Sequence, residues 1–292
     1  MRHVRAARVR STSAGGWPHM GRARDGFAQR YGEWALVAGA SEGLGAAFAA
    51  ALARRGMSLV LVARRRELLE RHARELRRVH GVQVRCCPGD LAAPEFLEAL
   101  WRACSALDVG VVVYNATQAP VGEFSSANEA ELMRVVDVNV RAPMVLLRSF
   151  LPAMKERRRG AVVLMTSMAG NQGAPRLAAY AGSKACARVL AESLWHELRE
   201  DGIDVVACCA GAVRTRGYTA AAGGDAPGTL DPEQVVEQTL CRLGRGPVVI
   251  PGGVNRFAAA LMTRLLPRRA AIAIMARSTT GLAPVGATES QP

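Results

Sequence analysis

From Trp34 to Pro251 the chain alternates short apolar runs rich in β-branched residues with longer segments whose apolar residues recur three and four positions apart. The runs read WALVAGA (34–40), MSLVLVA (57–63), VQVRCC (82–87), DVGVVVYNA (108–116), GAVVLMT (160–166), IDVVACCA (203–210) and PVVIP (247–251). Between them lie stretches such as ELLERHARELRRVH (67–80) and ARVLAESLWHELRE (187–200). A strand that is apolar on both faces has to be covered on both. A helix between successive strands supplies that cover and returns the chain in the parallel sense. The pattern therefore predicts an α/β fold: one doubly wound parallel sheet of about seven strands, helices on both faces, and a ligand site beyond the carboxyl ends of the strands. Residues 31–253 form this domain, 1–30 a basic tail or an over-called start with Met20 as the true one, and 254–292 a helical C-terminal extension with a flexible tail.

At 292 residues and 50% hydrophobic the chain can bury one large core, which excludes disordered and disulfide-framework classes. Seven cysteines without C-x-x-C spacing read as buried thiols in a reducing cytoplasm, and the five histidines show no metal-ligand spacing, so no metal site is expected. The net charge is +13, and the first 24 residues hold six arginines and no acid. That stretch lacks the apolar segment of a secretory signal. A transit-type or nucleic-acid-contacting arm is the alternative to a plain tail, and no nucleic acid is expected as a partner of the domain. Without those six arginines the remainder carries about +7, which suits anionic ligands such as phosphates, CoA or an acidic carrier protein.

The most apolar stretch near the end, FAAALMTRLLPRRAAIAIMA (257–276), is interrupted by Arg264, Pro267, Arg268 and Arg269 and is no membrane span. It reads as two short amphipathic helices over a core edge or a substrate cleft, with peripheral membrane contact as the minority reading. The segment from Arg214 to Asp231, rich in Gly and Ala, reads as a lid or a disordered loop.

Two sets of residues carry chemistry. After the first strand comes GASEGLG, with Gly39, Ser41, Gly43, Leu44 and Gly45, and then a helix. Glycines there allow a tight turn and bring backbone N–H groups to a pyrophosphate at the positive end of the helix. A glycine turn used only for packing is the alternative, and the position after the first strand favours the phosphate. The second strand ends in Ala63 and Arg64, where a site selective for an unphosphorylated ribose would place an acid. Arg64, with Ser41 as helper, suits a 2′-phosphate, whereas Arg65 and Arg66 read as the solvated start of a helix. The second set is Tyr180 and Lys184, four apart and so on one helix face, with Ser167 just past the fifth strand and Asn139 in the helix before it. Of the 38 basic residues only Lys155 and Lys184 are lysines. A tyrosine, with pKa about 10, is a poor acid or base at neutral pH unless a nearby cation stabilises its phenolate, and Lys184 supplies one.

The G-x-x-x-G-x-G turn, Asn115–Ala116, Asn139, Ser167, Tyr180-x-x-x-Lys184 and AGAVRT (210–215), in this order, resemble the short-chain dehydrogenase/reductase (SDR) family from residue 34 to about 255. The resemblance implies a Rossmann-like domain, NADP(H) as cofactor, and a catalytic tetrad of Asn139, Ser167, Tyr180 and Lys184. Asp90 and Leu91 would hold the adenine, although Asp90 read alone could cap the next helix. Asn115 and Ala116 would line the cofactor, and Gly211, Val213 and Thr215 the nicotinamide end. Lys184 would also bind the nicotinamide ribose, Ser167 the substrate oxygen, and Asn139 a water leading to solvent. Ala38, Thr117 and Ala210 stand where the family has threonine, glycine and proline.

The implied reaction moves a hydride between the nicotinamide and a ketone or secondary alcohol of an apolar substrate. The C-terminal extension resembles members near 3-oxoacyl and hydroxysteroid reductases, which points to a 3-oxoacyl thioester, carried on CoA or an acyl carrier protein, or to a steroid-like ketone. A redox sensor that binds NADP(H) without turnover is the alternative. The family also implies a homodimer or homotetramer through helices around Val135–Phe150 and Ala185–Leu198.

Overall fold

A computed structural model describes residues 24–222 and 224–282. The strands are β1 (Trp34–Ala38), β2 (Ser58–Ala63), β3 (Val84–Pro88), β4 (Val109–Tyr114), β5 (Gly160–Ser167), β6 (Ile203–Ala210) and β7 (Val248–Val249). The helices are α1 (Arg24–Tyr31), α2 (Gly43–Arg54), α3 (Arg66–His80), α4 (Pro94–Cys104), α5 (Glu129–Val136), α6 (Ala142–Arg157), α7 (Ala178–Glu197), α8 (Arg216–Ala222), α9 (Pro232–Leu240), α10 (Gly253–Ala260) and α11 (Arg268–Thr280). All seven strands run parallel in the order β3-β2-β1-β4-β5-β6-β7.

The order reverses between β1 and β4, which opens a crevice at their carboxyl ends. β1, β2, β4 and β6 are buried along nearly their whole length, as their unbroken apolar sequences require; β3, at the sheet edge, is only partly covered and exposes Arg85. One core, around Phe48, Leu52, Leu61, Leu69 and Val236, lies under α2, α3 and α9. The other, around Leu36, Leu100, Leu146, Met154 and Leu164, lies under α4, α6 and α7. The residues just past the strands are stitched together: Gly39 and Ala40 amides donate to Val62 O at 2.8 and 3.1 Å, and those of Asn115 and Ala116 to Ala38 O at 3.0 and 2.9 Å. The sheet thereby fixes the floor of the crevice.

Three features differ from the sequence expectation. The described part of the segment from Arg214 to Asp231 is not structureless. It contains α8, Arg214 pairs with Asp225 at 2.8 Å and also with Asp231, and Val213 bridges Leu230 in the parallel sense. The helix carrying Asn139 is interrupted by a π-helical turn over Asp137–Arg141, joining α5 to α6 without a loop. A second π turn, Leu261–Leu265, prolongs α10, and Leu266 is then extended, as the residue before Pro267 tends to be. No described helix is long and apolar enough to cross a membrane. Residues 1–23 and 283–292, to which most of the basic tail and the end of the extension belong, lie outside the described residues.

Candidate active site

The glycine turn is built by contacts that admit no side chain. Gly39 has φ +82°, and a Cβ there would lie 2.7 Å from the Ala116 amide nitrogen; one on Gly45 would lie 1.9 Å from Gly39 O. Asn115 braces the same turn, donating from Nδ2 to Gly39 O at 3.0 Å. Helix α2 then begins at Gly43 with no side-chain cap from Glu42 and no acid in its first turn. Its first amides therefore lack a protein partner from the cap and point to the crevice as an anion site. Leu44 is turned inward against the core.

Two placements here were not legible beforehand. Arg65 at the start of α3 is exposed, as expected, and also reaches over the glycine turn. Its Nη2 lies 2.5 Å from a Glu42 carboxylate oxygen and 3.3 Å from Ser41 Oγ. Arg64 is exposed beside it, near enough to act on the charge of Asp90. Thr215, expected at the nicotinamide end, has its methyl 3.0 Å from where a Gly43 Cβ would stand, so the segment after β6 folds over the phosphate turn. Asp90 accepts from the Ala92 amide at 3.0 Å and from Arg134 at 2.8 Å. Burial acts to raise its carboxyl, but these donors outweigh burial and hold it below the ordinary value. Leu91 is buried beside it.

At the other end, Ser167 closes β5 and Tyr180 and Lys184 share a face of α7, as their spacing predicts. The Lys184 ammonium lies 5.6 Å from the centre of the Tyr180 ring and donates to Met165 O at 2.9 Å. Lys184 is only 5% exposed. Burial pulls its pKa from 10.5 down to about 8, so it is still charged at neutral pH. Burial also raises the Tyr180 phenol, and a hydrogen bond with Ser167 works in the opposite direction. Ser167 Oγ in turn accepts from the Ala169 amide at 3.2 Å. Gly170 lets α7 come this close: a Cβ there would stand 2.8 Å from the Ala185 amide nitrogen.

Asn139 joins the group through its side-chain amide. Nδ2 donates to Gln118 O at 2.8 Å and Ser183 Oγ at 2.9 Å, while Oδ1 accepts from the Gln118 amide at 2.8 Å and from Thr117 Oγ1 at 3.4 Å. These four bonds exhaust the side chain. They tie α7, the segment after β4 and the π turn into one unit. Ser183, Gln118 and Thr117 belong to this unit because of contacts that no local pattern announces. Gly211 and Val213 follow β6 at the same end of the sheet, with Val213 buried and Gly211 packed against Asn255 of α10. A cavity of about 410 Å³ lies between α7 and α11, lined by Ala178, Ala181, Gly182 and Ala185. Those positions lie off the Tyr180–Lys184 face of α7.

The residues present fit a nicotinamide dinucleotide. A glycine turn with free amides at a helix start would hold its pyrophosphate, the arginines after β2 its ribose end, and the buried Lys184 ammonium a sugar hydroxyl, all along one crevice.

The short chain dehydrogenase family model matches residues 33–222. A 7beta-hydroxysteroid dehydrogenase from Clostridium sardiniense is 33% identical over 233 residues, covering 79% of this chain and 89% of that protein. A very-long-chain 3-oxoacyl-CoA reductase from Laccaria bicolor is 34% identical over 183 residues, 61% of this chain and 54% of the other. Among solved structures, a short-chain dehydrogenase from Sphingobium yanoikuyae in complex with NADPH has a TM-score of 0.69 and 32% identity, covering 74% of this chain and 87% of that one. With the seven-stranded parallel sheet and the crevice residues, these likenesses make the chain an oxidoreductase of the short-chain dehydrogenase family.

Proposed function

We propose that the protein is an NADP(H)-dependent reductase of apolar ketones, or the reverse alcohol dehydrogenase, with Tyr180 as acid and base. The observation that carries the reading is the joint placement of Ser167, Tyr180 and Lys184 at the carboxyl end of β5. The cofactor supplies the hydride. Ser167 Oγ and the Tyr180 hydroxyl together donate to the substrate oxygen and orient it. As negative charge builds on that oxygen, Tyr180 gives up its proton. Lys184, charged at neutral pH, stabilises the phenolate left behind, which burial alone would disfavour. Asn139, through Ser183, fixes the segment of α7 between the two. The side-chain amide of Asn139 is fully bonded, so a water relay from it would have to use its main-chain carbonyl.

NADP(H) over NAD(H) is supported by Arg64 and Arg65 beside the ribose end with no acid at the end of β2, and by the NADPH complex of the Sphingobium relative. The substrate class, a 3-oxoacyl thioester carried on CoA or a carrier protein, or a steroid-like ketone, rests on the names of the two relatives. Assembly as a homodimer or homotetramer through α6 and α7 is supported by Met144, Val145 and Val189, apolar side chains exposed on those helices. A reducing cytoplasm suits Cys104, Cys208 and Cys209, which are buried as free thiols.

The test is NADPH consumption, followed by absorbance, against ketones and 3-oxoacyl thioesters of rising length, with Tyr180→Phe as control. Turnover that falls by three or more orders of magnitude in the variant, with NADPH affinity kept, is the expected result. Tight NADPH binding without turnover across the panel would instead indicate a sensor.

A further inference from the structure

The helix formed by α10 and its π-helical prolongation is amphipathic in the wrong sense for a core helix. Val254, Phe257, Leu261 and Leu265 recur three and four apart and so share one face. That face is turned outward: Val254 is 58%, Phe257 72% and Leu265 75% exposed. The side turned to the protein carries Asn255 and Ala259, and Asn255 is held by hydrogen bonds to Gly228 O and Pro251 O. The outward stripe is therefore not a helix waiting to pack on its own domain, because its inner face is already satisfied.

The charge on the helices that carry the stripe is of one sign. Between Glu237 and Glu289 the sequence contains no acidic residue, and α10 to α11 carry Arg256, Arg264, Arg268, Arg269 and Arg277. Among the described residues none of these five is paired with a carboxylate; Arg256 and Arg268 donate only to the backbone carbonyls of Ile250 and Asn171. An exposed apolar stripe beside unneutralised arginines matches an anionic lipid surface, where apolar side chains enter the acyl boundary and guanidinium groups meet phosphates. A two-fold contact of the same stripe with a second copy would set these arginines against their own images.

We propose that the C-terminal helices, from Gly253 to Thr280, dock the protein on membranes containing anionic phospholipid, through Phe257 and Leu265 with the flanking arginines. The docking face is continuous with the active-site end of the sheet. Asn255 packs on Gly211 after β6, and Met275 of α11 packs in the small cluster that includes Ala181 and Tyr180.

The test is sedimentation of the full chain with vesicles of phosphatidylcholine alone and with added phosphatidylglycerol, at low and high salt. It would use the wild type, Phe257→Ser/Leu265→Ser, and Arg264→Gln/Arg269→Gln/Arg277→Gln. These side chains are exposed, and unchanged melting temperatures would show that the variants fold. Binding to the anionic vesicles, weakened by salt, is expected, with neutral vesicles left unbound. The serine variant should lose at least tenfold in affinity, and the triple arginine variant, at roughly fivefold per charge, on the order of a hundredfold. Three results would overturn the proposal. One is no binding to anionic vesicles at low salt. Another is equal binding by all three proteins, which would put the contact in the N-terminal arginines. The third is a serine variant that changes only the oligomeric state, which would make the stripe an interface between copies.

Discussion

Arg65 shows what one side chain can do to selectivity. Its guanidinium is held by Glu42 on the glycine turn, where a ribose phosphate would have to compete for it. Glu42 would also set a negative charge beside that phosphate. Glu42→Gln is therefore expected to tighten NADP⁺ binding about threefold to fivefold, the scale of an exposed ion pair, and to leave NAD⁺ nearly unchanged. Calorimetric titration with both nucleotides checks this, and an equal change for both would count against the assignment. Lys184 carries a different cost. Its folded pKa of about 8 lies below the unfolded 10.5, so between those values the unfolded chain binds more protons and stability rises with pH. At neutral pH the buried charge costs up to about 3 kcal/mol. Lys184→Met removes that cost but orphans Met165 O, for a net gain of about 1–2 kcal/mol. Thermal melts should show the variant more stable than the wild type at pH 7, with the difference shrinking toward pH 10, while turnover is lost.

The elements were legible where their signals are local. The seven strands fall within a few residues of their apolar runs, and the glycine turn, Ser167, Tyr180 and Lys184 lie at one end of the sheet because covalent spacing fixes strand ends and helix faces. The π turn at Asp137–Arg141 was not legible, since one inserted residue hardly disturbs a helical pattern. Arg65 and the partners of Asn139 were not legible either, because they depend on side chains brought together across the sheet. The outward stripe of α10 illustrates a third limit: periodicity says which residues share a face and not which face is buried. Between these elements Asn255 acts as a clasp, bonding Gly228 O at 3.0 Å and Pro251 O at 2.9 Å. Asn255→Ala should loosen the 214–231 segment. Trypsin is then expected to cut at Arg214 and Arg216 several times faster than in the wild type, with the melting temperature lowered by loss of about 2 kcal/mol.

For the molecule as a whole, the glycine turn, the Ser167–Tyr180–Lys184 group and the proposed docking face lie at one end of the sheet, and the opposite end is closed by ion pairs. There Asp108 meets Arg157 and Arg159 at 2.8 and 2.7 Å, and Asp204 meets Arg30 at 2.8 Å. The domain is thus polarised, with a fastened base and a working rim. The distribution of amines is equally lopsided. Lys155 sits on the surface paired with Asp201, and Lys184 is sealed in the crevice with a lowered pKa. An amine-selective acylating reagent finds only these two lysine side chains, and of the two the proposed mechanism uses Lys184. Inactivation by such a reagent should follow modification at Lys184 by mass spectrometry and slow when nucleotide fills the crevice. An arginine-rich chain with a single amine at its centre thereby carries its own built-in gauge of how often that centre opens to solvent.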